Sequence, residues 1–132
     1  MWQEPKTNWS ATDFINVEDY NRIKNNLAII RDLAVELYPS FSIIVNPDKT
    51  VSEYPFADEI NQLEENLETI RGHTLPSLQT GSKKTFYANQ PYIKFDELNR
   101  LESACLLLYK NLVGQTEGRP RLELTLGGGI WL

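Results

Sequence analysis

The stretch VEDYNRI at residues 17–23 returns twice in this chain in altered form, as ADEINQL at residues 57–63 and as FDELNRL at residues 95–101. Each copy reads apolar, acid, acid, apolar, Asn, Arg or Gln, aliphatic. Apolar residues continue past each copy in alternating steps of three and four, the spacing of one face of an α-helix. The chain is therefore an internal triplication of one helical unit, with a period of about 40 residues.

Three helices follow from this pattern. Their expected ranges are residues 17–37, 57–71 and 95–112. Asn16 is expected to cap the first helix, with Asp19 completing a capping box, and Pro39 to end it. Gly72 is expected to end the second helix in the left-handed conformation, and the third helix to stop near Gly114.

The connectors between the helices are long. About twenty residues separate each helix from the next, against roughly 2–8 residues in simple bundles. Residues 41–45 and 50–54 read as short strands on either side of the turn sequence NPDK at residues 46–49, and residues 84–87 read as a further strand. The sequence thus predicts small β-hairpin or strand elements within the connectors.

The two ends of the chain complete a single domain over residues 1–132. Residues 1–16 form an arm that is rich in aromatic side chains. Residues 119–132 are expected to form a C-terminal strand and tail, because polar and apolar residues alternate over residues 121–126. The expected fold class is mainly α, a three-helix bundle built from a triplicated helical unit.

Two helix arrangements fit the connector lengths. A connector of twenty residues can extend about 60 Å, twice the ~30 Å length of a twenty-residue helix, so it can return the chain to its starting end. This permits three parallel helices around a pseudo-threefold axis, with Asn21, Asn61 and Asn99 in one layer. The alternative, which we favour on sequence alone, is an up-and-down bundle whose connectors pack as hairpins. The sequence does not decide between them.

Composition excludes several classes of partner. The net charge is −5, from 13 Lys and Arg against 18 Asp and Glu, which argues against a nucleic-acid surface because such surfaces need clustered cations. No apolar run approaches the ~20 residues of a membrane span, and the first residues do not resemble a signal peptide. We expect a protein made in the cytoplasm, with neither nucleic acid nor membrane as partner.

Residues that could carry catalysis are sparse. His73 is the only histidine and has no cysteine nearby, so neither a zinc site nor a triad is predicted. The carboxylate pair at residues 58–59 recurs at residues 96–97, where acids oppose the positive end of a helix dipole. Cys105 falls where the other repeats have leucine and is expected to be a buried, inert core residue. We predict no catalytic residue, no metal, no cofactor and no enzymatic activity.

Six polar residues occupy two matching positions of the three repeats. They are Asn21, Arg22, Asn61, Gln62, Asn99 and Arg100. Asparagine has poor helix propensity, so its return at one register indicates a repeated structural role. We expect these side chains to bond connector backbone or a neighbouring helix rather than a ligand.

Large apolar side chains at the two ends are the best candidates for protein contacts. They are Trp2, Trp9, Ile130, Trp131 and Leu132. Such groups must either fold back onto the core or dock on another protein. We predict that they anchor protein contacts, with a homo-oligomer as one possible outcome.

The ends and the helix starts also resemble a known group of proteins. The segment WQEPKTNW at residues 2–9, followed by DFIN at residues 13–16 and DYNRIKNN at residues 19–26, resembles a segment of tail-region proteins from phages and prophages of Gram-positive bacteria. The segment RPRLELTLG at residues 119–127 is similar to terminal segments found among the same proteins. No functional residue carries over from this resemblance.

The resemblance implies a virion structural protein of the tail or baseplate region, made in the bacterial cytoplasm, whose partners are other tail or baseplate proteins. Two other functions remain open. A host-surface receptor-binding module would stack carbohydrate on exposed aromatic residues, namely Tyr54, Phe86, Tyr87 and Tyr92. A transient tail-assembly chaperone would bind a tail protein and be absent from finished particles.

Overall fold

This computed structural model describes residues 2–13, 15–50, 57–81, 85–87 and 93–126. Three helices dominate the described chain. They are α1 (Val17–Leu37), α2 (Ala57–Thr74) and α3 (Phe95–Leu126). The fold is mainly helical, as the sequence predicts, and each helix begins where its repeat begins. Among the described residues, no helix combines the length and the apolar composition that crossing a membrane requires.

The ends of α1 follow the predicted local rules. The Asn16 side chain accepts a hydrogen bond from the Asp19 backbone N–H, and the Asp19 carboxylate accepts one from the Asn16 N–H, which forms the capping box. At the other end, the Tyr38 N–H donates to the Ala34 carbonyl at 2.8 Å, and the helix stops before Pro39. Proline cannot continue the ladder because it lacks an N–H.

The predicted ends of α2 and α3 are wrong. α2 continues to Thr74, and Gly72 does not adopt a left-handed conformation; Gly81 is the one described residue that does. α3 runs through Gly114 to Leu126, so the strand predicted at residues 121–126 lies in a helix. Gly114 does not end α3, because one glycine inside a helix costs only about 1 kcal/mol.

The described connector residues form no strand. Residues 41–50 and 85–87 carry neither a strand nor a turn. The remaining predicted strand positions, residues 51–54 and 84, lie outside the described residues. The reason for the difference is that the connector backbone bonds to helix side chains rather than to a second strand, as described below.

The helices are parallel. Near the start of α1 and α3, Arg22 donates to Glu102 at 2.7 Å, and near the end of α1 the Tyr38 hydroxyl donates to Gln115 at 2.9 Å. Two contacts that advance in the same direction along both helices require parallel axes.

α2 has the same direction. Lys49 of the first connector lies beside the first turns of both α1 and α2. Its backbone N–H donates to Asn21, and its ammonium group donates to Glu59. At the other end, Phe41, which follows α1, stacks on His73 in the last turn of α2 with ring centroids 4.6 Å apart. The up-and-down arrangement that we favoured from the sequence is therefore wrong, and each connector returns the chain along the bundle.

The three apolar stripes meet in one core. Their side chains are almost completely buried, and they come from every turn of the shared part of the helices: Tyr20, Ile23, Leu27, Ile30, Ala34, Ile60, Leu63, Leu67, Ile70, Leu98, Leu101, Cys105, Leu108 and Leu112. Burying a leucine or isoleucine stabilises the fold by about 1.5–3 kcal/mol relative to an exposed side chain. The stripes thus hold the helices together, but apolar contacts alone do not select their direction.

Cys105 should be unreactive in the native protein. Burial raises the pKa of its thiol to about 12, and the nearby Glu102 carboxylate adds to the rise. Because the thiolate is the reactive form, we expect a thiol reagent at pH 8 to label Cys105 only as fast as the protein unfolds. Labelling of native protein at the rate of denatured protein would contradict this placement.

Candidate functional site

The repeated asparagines clamp the connector backbone. The Asn21 Oδ1 accepts from the Lys49 N–H at 2.9 Å, and its Nδ2 donates to the Lys49 carbonyl at 3.0 Å. One side chain thus satisfies both backbone groups of one residue. The other two clamps are Asn61 on Phe86 and Asn99 on Trp9, with distances of 2.7–3.0 Å. This is the repeated backbone-bonding role that the shared register predicts.

The clamps follow a cyclic order. Through these clamps the N-terminal arm (residues 2–16) is bonded to α3 at Trp9, the first connector (residues 38–56) to α1 at Lys49 and the second connector (residues 75–94) to α2 at Phe86. The clamped residue lies eight or nine positions before the next helix in all three cases. Each repeat is therefore an extended segment followed by a helix, and the arm is the extended segment of the first repeat.

A second pair of clamps lies five residues further along α1 and α2. Asn26 bonds the N–H and carbonyl of Gln3 at 2.9 and 2.8 Å, and Asn66 bonds those of Ile44 at 3.3 and 2.7 Å. Each of these asparagines holds the extended segment of its own repeat. The matching position of α3 is Ala104, so the third repeat lacks this clamp.

Buried ion pairs join neighbouring repeats beside the clamps. Arg22 forms a bidentate pair with Glu102 at 2.9 and 2.7 Å, and Arg100 pairs with Glu64. In both pairs the arginine directly follows the clamping asparagine, and the glutamate lies three residues after the asparagine of the next helix around the ring. Both glutamates are at most 1% exposed.

The third interface departs from this rule. At the positions where the other interfaces have Arg and Glu, the α2–α1 interface has Gln62 and Lys24. Lys24, 4% exposed along its side chain, pairs with Asp48 of the first connector, and Gln62 donates to Asn66 at 2.9 Å. The hydrogen bond from Lys24 lowers the pKa of Asp48, with a second from Asn25 acting in the same sense. We refer to the nine residues at these positions as the polar layer: Asn21, Arg22, Lys24, Asn61, Gln62, Glu64, Asn99, Arg100 and Glu102.

Glu102 bonds three different parts of the chain. Besides Arg22, it accepts from the Trp9 indole N–H at 2.6 Å and from the Lys6 backbone N–H at 3.1 Å. Burial alone would lower the pKa of Arg22, but its hydrogen bonds to Glu102 and Asp19 outweigh that effect and raise it. The pairing therefore favours the charged form of Arg22, and Glu102 ties the arm, α1 and α3 together.

Gly81 allows the second connector to pass the polar layer. Its φ is +80°, and a Cβ atom at this position would overlap the Arg100 side chain. Any other residue would therefore be strained and would displace the arginine that pairs with Glu64.

The predicted aromatic anchors of the arm pack on their own chain. Trp9 is 4% exposed, and Trp2 stacks on Tyr109 with ring centroids 3.8 Å apart and planes 5° apart. Of the two alternatives for these residues, the structure has them folded back onto the core, so contact with a partner through Trp9 would require the arm to leave its groove. Ile130, Trp131 and Leu132 lie outside the described residues.

The described residues offer no ready catalytic constellation. No group of three potential metal-ligating side chains occurs in the described ranges. His73 lies in the last turn of α2 rather than in a loop, where its Nδ1 is 2.8 Å from the Thr69 carbonyl. Sequence reasoning missed Lys24, Glu64 and Glu102, although their common position three residues after the repeated asparagines was a usable signal.

Replacing the clamping asparagines singly by leucine should cost similar stability. Asn21→Leu, Asn61→Leu and Asn99→Leu each leave one N–H and one carbonyl unpaired, so we expect a loss of about 1–3 kcal/mol per variant in urea unfolding. Asn111→Leu is the control, because that exposed side chain bonds only within its own helix. Three losses that differ widely would show that the repeat no longer has a common structural role.

Restoring the third ion pair should rescue a destabilising change. Lys24→Glu removes the Asp48 partner and buries an unpaired carboxylate, at a cost of about 3–5 kcal/mol. Adding Gln62→Arg should recover about 1–3 kcal/mol, because it recreates the pair of the other two interfaces. Gln79→Arg, at an exposed glutamine, is the matched control. If Gln62→Arg and Gln79→Arg give equal unfolding free energies when each is added to Lys24→Glu, the pairing rule shared by the three interfaces is refuted.

No family model, no curated protein and no solved structure matches the chain. The polar layer and the clamped connectors are therefore interpreted from their own contacts.

Proposed function

We propose that this chain is a non-enzymatic structural protein of a phage or prophage virion, located in the tail or baseplate region and acting through contacts with other proteins. The resemblance of the arm and of the helix starts to tail-region proteins supplies the biological setting. The structure adds a physical argument that favours a scaffold over a catalyst.

The observation that carries the proposal is which groups the side chains of the polar layer bond. Catalytic sites present polar groups to a cleft where a substrate can enter, and their pKa values are commonly perturbed there. In this protein the repeated polar groups instead bond the chain's own backbone or one another, as in the Arg22–Glu102 pair and the Asn99 clamp on Trp9. Such bonding fixes the shape of the outer surface, which is what a structural component contributes to an assembly.

Recognition of a host-surface carbohydrate is a second candidate, favoured by one observation. Tyr87 is 64% exposed, and the neighbouring Phe86 is held by the Asn61 clamp. An exposed aromatic ring next to a clamped backbone residue is suited to stacking on a sugar, whereas Phe86 itself is partly buried against the core. The other proposed aromatic positions, Tyr54 and Tyr92, lie outside the described residues.

Mass spectrometry of purified particles tests the structural role. If the proposal is correct, the chain is found in particles from the producing strain at a constant ratio to the other tail proteins, and deletion of its gene yields particles with incomplete tails. The variant Tyr87→Ala, which changes an exposed side chain, should enter particles normally.

The other outcomes separate the alternatives. A chain that is required for assembly but absent from particles is a chaperone, which overturns the structural role. Particles that assemble with Tyr87→Ala but no longer adsorb to host cell walls would favour carbohydrate recognition instead.

A further inference from the structure

An open groove lies between α1 and the first connector. It has a volume of about 270 Å³ and is lined by Ala28, Arg31, Asp32, Ser42, Ile43 and Val45. A cavity of about 150 Å³ is enough to hold benzene, so this groove has room for a larger ring. Because the chain is built from repeats, the groove has an equivalent place elsewhere in the bundle.

The connector side of the groove is equivalent to the start of the arm. Gln3 and Ile44 correspond, because each is clamped by the second asparagine of its own repeat. The residues directly before them therefore correspond as well, which matches Ile43 with Trp2. An isoleucine thus occupies the position at which the arm has an indole.

The helix side of the groove is equivalent to a position on α3. Arg31 lies ten residues after the first clamping asparagine of α1, and Tyr109 lies ten residues after that of α3. Trp2 stacks on Tyr109 with ring centroids 3.8 Å apart and planes 5° apart. Arg31 and Ile43 line the same groove, so they replace the two members of that stacked pair.

The Arg31 guanidinium is held as a flat platform. Its Nε and Nη2 donate to the Phe41 carbonyl at 2.9 and 2.7 Å, and its Nη1 donates to Asp32 at 3.4 Å. These bonds lie at the edge of the guanidinium plane and fix its orientation, while the side chain stays 29% exposed. A planar guanidinium stacks well on an aromatic face. The groove therefore has the platform of a stacked pair without the ring.

We propose that this groove binds a tryptophan side chain of a partner protein, with the indole stacked on the Arg31 guanidinium. The inference deepens the proposed function and rests on it for the view that the partner is another tail or baseplate protein. Asp32 is 73% exposed along its side chain and can accept the indole N–H. The same kind of bond already occurs in this protein, where the Trp9 indole donates to Glu102 at 2.6 Å.

The lining of the groove suits other ligand classes less well. None of its six lining residues is aromatic, so a sugar would find no ring on which to stack. The Asp32 carboxylate beside Arg31 disfavours an anion. Ile44 and Val45 are 61% and 44% exposed, and they offer apolar surface that the chain flanking a partner's tryptophan can cover. These features together favour an aromatic side chain carried by a protein.

Titration of the purified protein with N-acetyl-tryptophanamide tests the site. The amide NMR signals of Ala28 and Val45 should shift and reach saturation, and the signal of Ser103, an exposed residue of α3, should not move. N-acetyl-leucinamide is the matched probe, because it has an apolar side chain but no ring. It should cause no saturable shift at the same concentrations.

Placing an indole in the groove gives a sharper test. Ile43→Trp should lay its ring on Arg31 as Trp2 lies on Tyr109, so it should abolish binding of the tryptophan probe without lowering the free energy of unfolding. Ile44→Trp is the matched control, because this neighbouring residue does not line the groove. It should leave probe binding unchanged.

A change of the platform gives an independent test. Arg31→Lys keeps the charge but removes the flat group, so it should weaken binding of the tryptophan probe about tenfold. Arg71→Lys is its control. Arg71 lies at the equivalent position of α2 and bonds the Pro76 carbonyl, so the control loses a similar bond away from the groove.

The remaining outcomes overturn the inference. They are the absence of a saturable shift with the tryptophan probe, equal binding of the leucine probe, and unimpaired binding by Ile43→Trp or Arg31→Lys. Saturable binding of N-acetylglucosamine at the same signals would assign the groove to carbohydrate, and self-association that Ile43→Trp abolishes would assign it to a second copy of the chain. All these measurements use purified protein, so their outcome is independent of whether the chain is found in particles.

Discussion

Three parallel helices in one chain require the backbone to travel the length of the bundle between each pair of helices, and this constraint governs the rest of the structure. Where the structure describes a returning segment, it has no neighbouring strand, yet its peptide groups lie against protein and need partners. Asparagine meets this need because its amide carries one acceptor and a donor on adjacent atoms. The Asn21 clamp on Lys49 bonds the backbone much as a partner strand would, and it does so from the side of a helix.

The ion pairs add a selection that apolar contacts cannot make. Leucine stripes pack equally well with parallel or antiparallel neighbours, whereas the pair of Arg22 with Glu102 forms only when α1 and α3 point the same way and lie at the right level. Buried pairs contribute little net stability, because desolvation offsets attraction, but an unpaired buried charge costs several kcal/mol. The polar layer therefore acts mainly by penalising every other arrangement. At the α1–α2 interface the buried charge is that of Lys24, which pairs with the connector residue Asp48 rather than with a residue of the neighbouring helix.

Much of this fold can be predicted from the sequence, and the predictions that are wrong have physical reasons. The starts of all three helices, the capping box at Asn16 and the buried position of Cys105 follow from local spacing. The direction of the helices does not, because a period of 3.6 residues says which face is buried and nothing about which neighbour covers it. The pairing of Arg100 with Glu64 links residues on different repeats, so it becomes visible only when the repeats are placed in a ring. Gly114 is a poor guide to the end of α3, because a helix that is already formed tolerates a glycine.

The arm that closes the ring also determines when the protein can finish folding. Trp9 and its partner Asn99 are separated by 90 residues, and the Trp9 indole bonds Glu102 still further along. During synthesis the arm emerges before the helices, whereas its binding site is completed only by α3, so neither Trp2 nor Trp9 can pack against that helix until it has left the ribosome. Contacts of such high sequence separation are the slowest to form. The first two helices therefore lack their third neighbour, and the tryptophans of the arm stay exposed to water, until α3 is synthesised and packs against them.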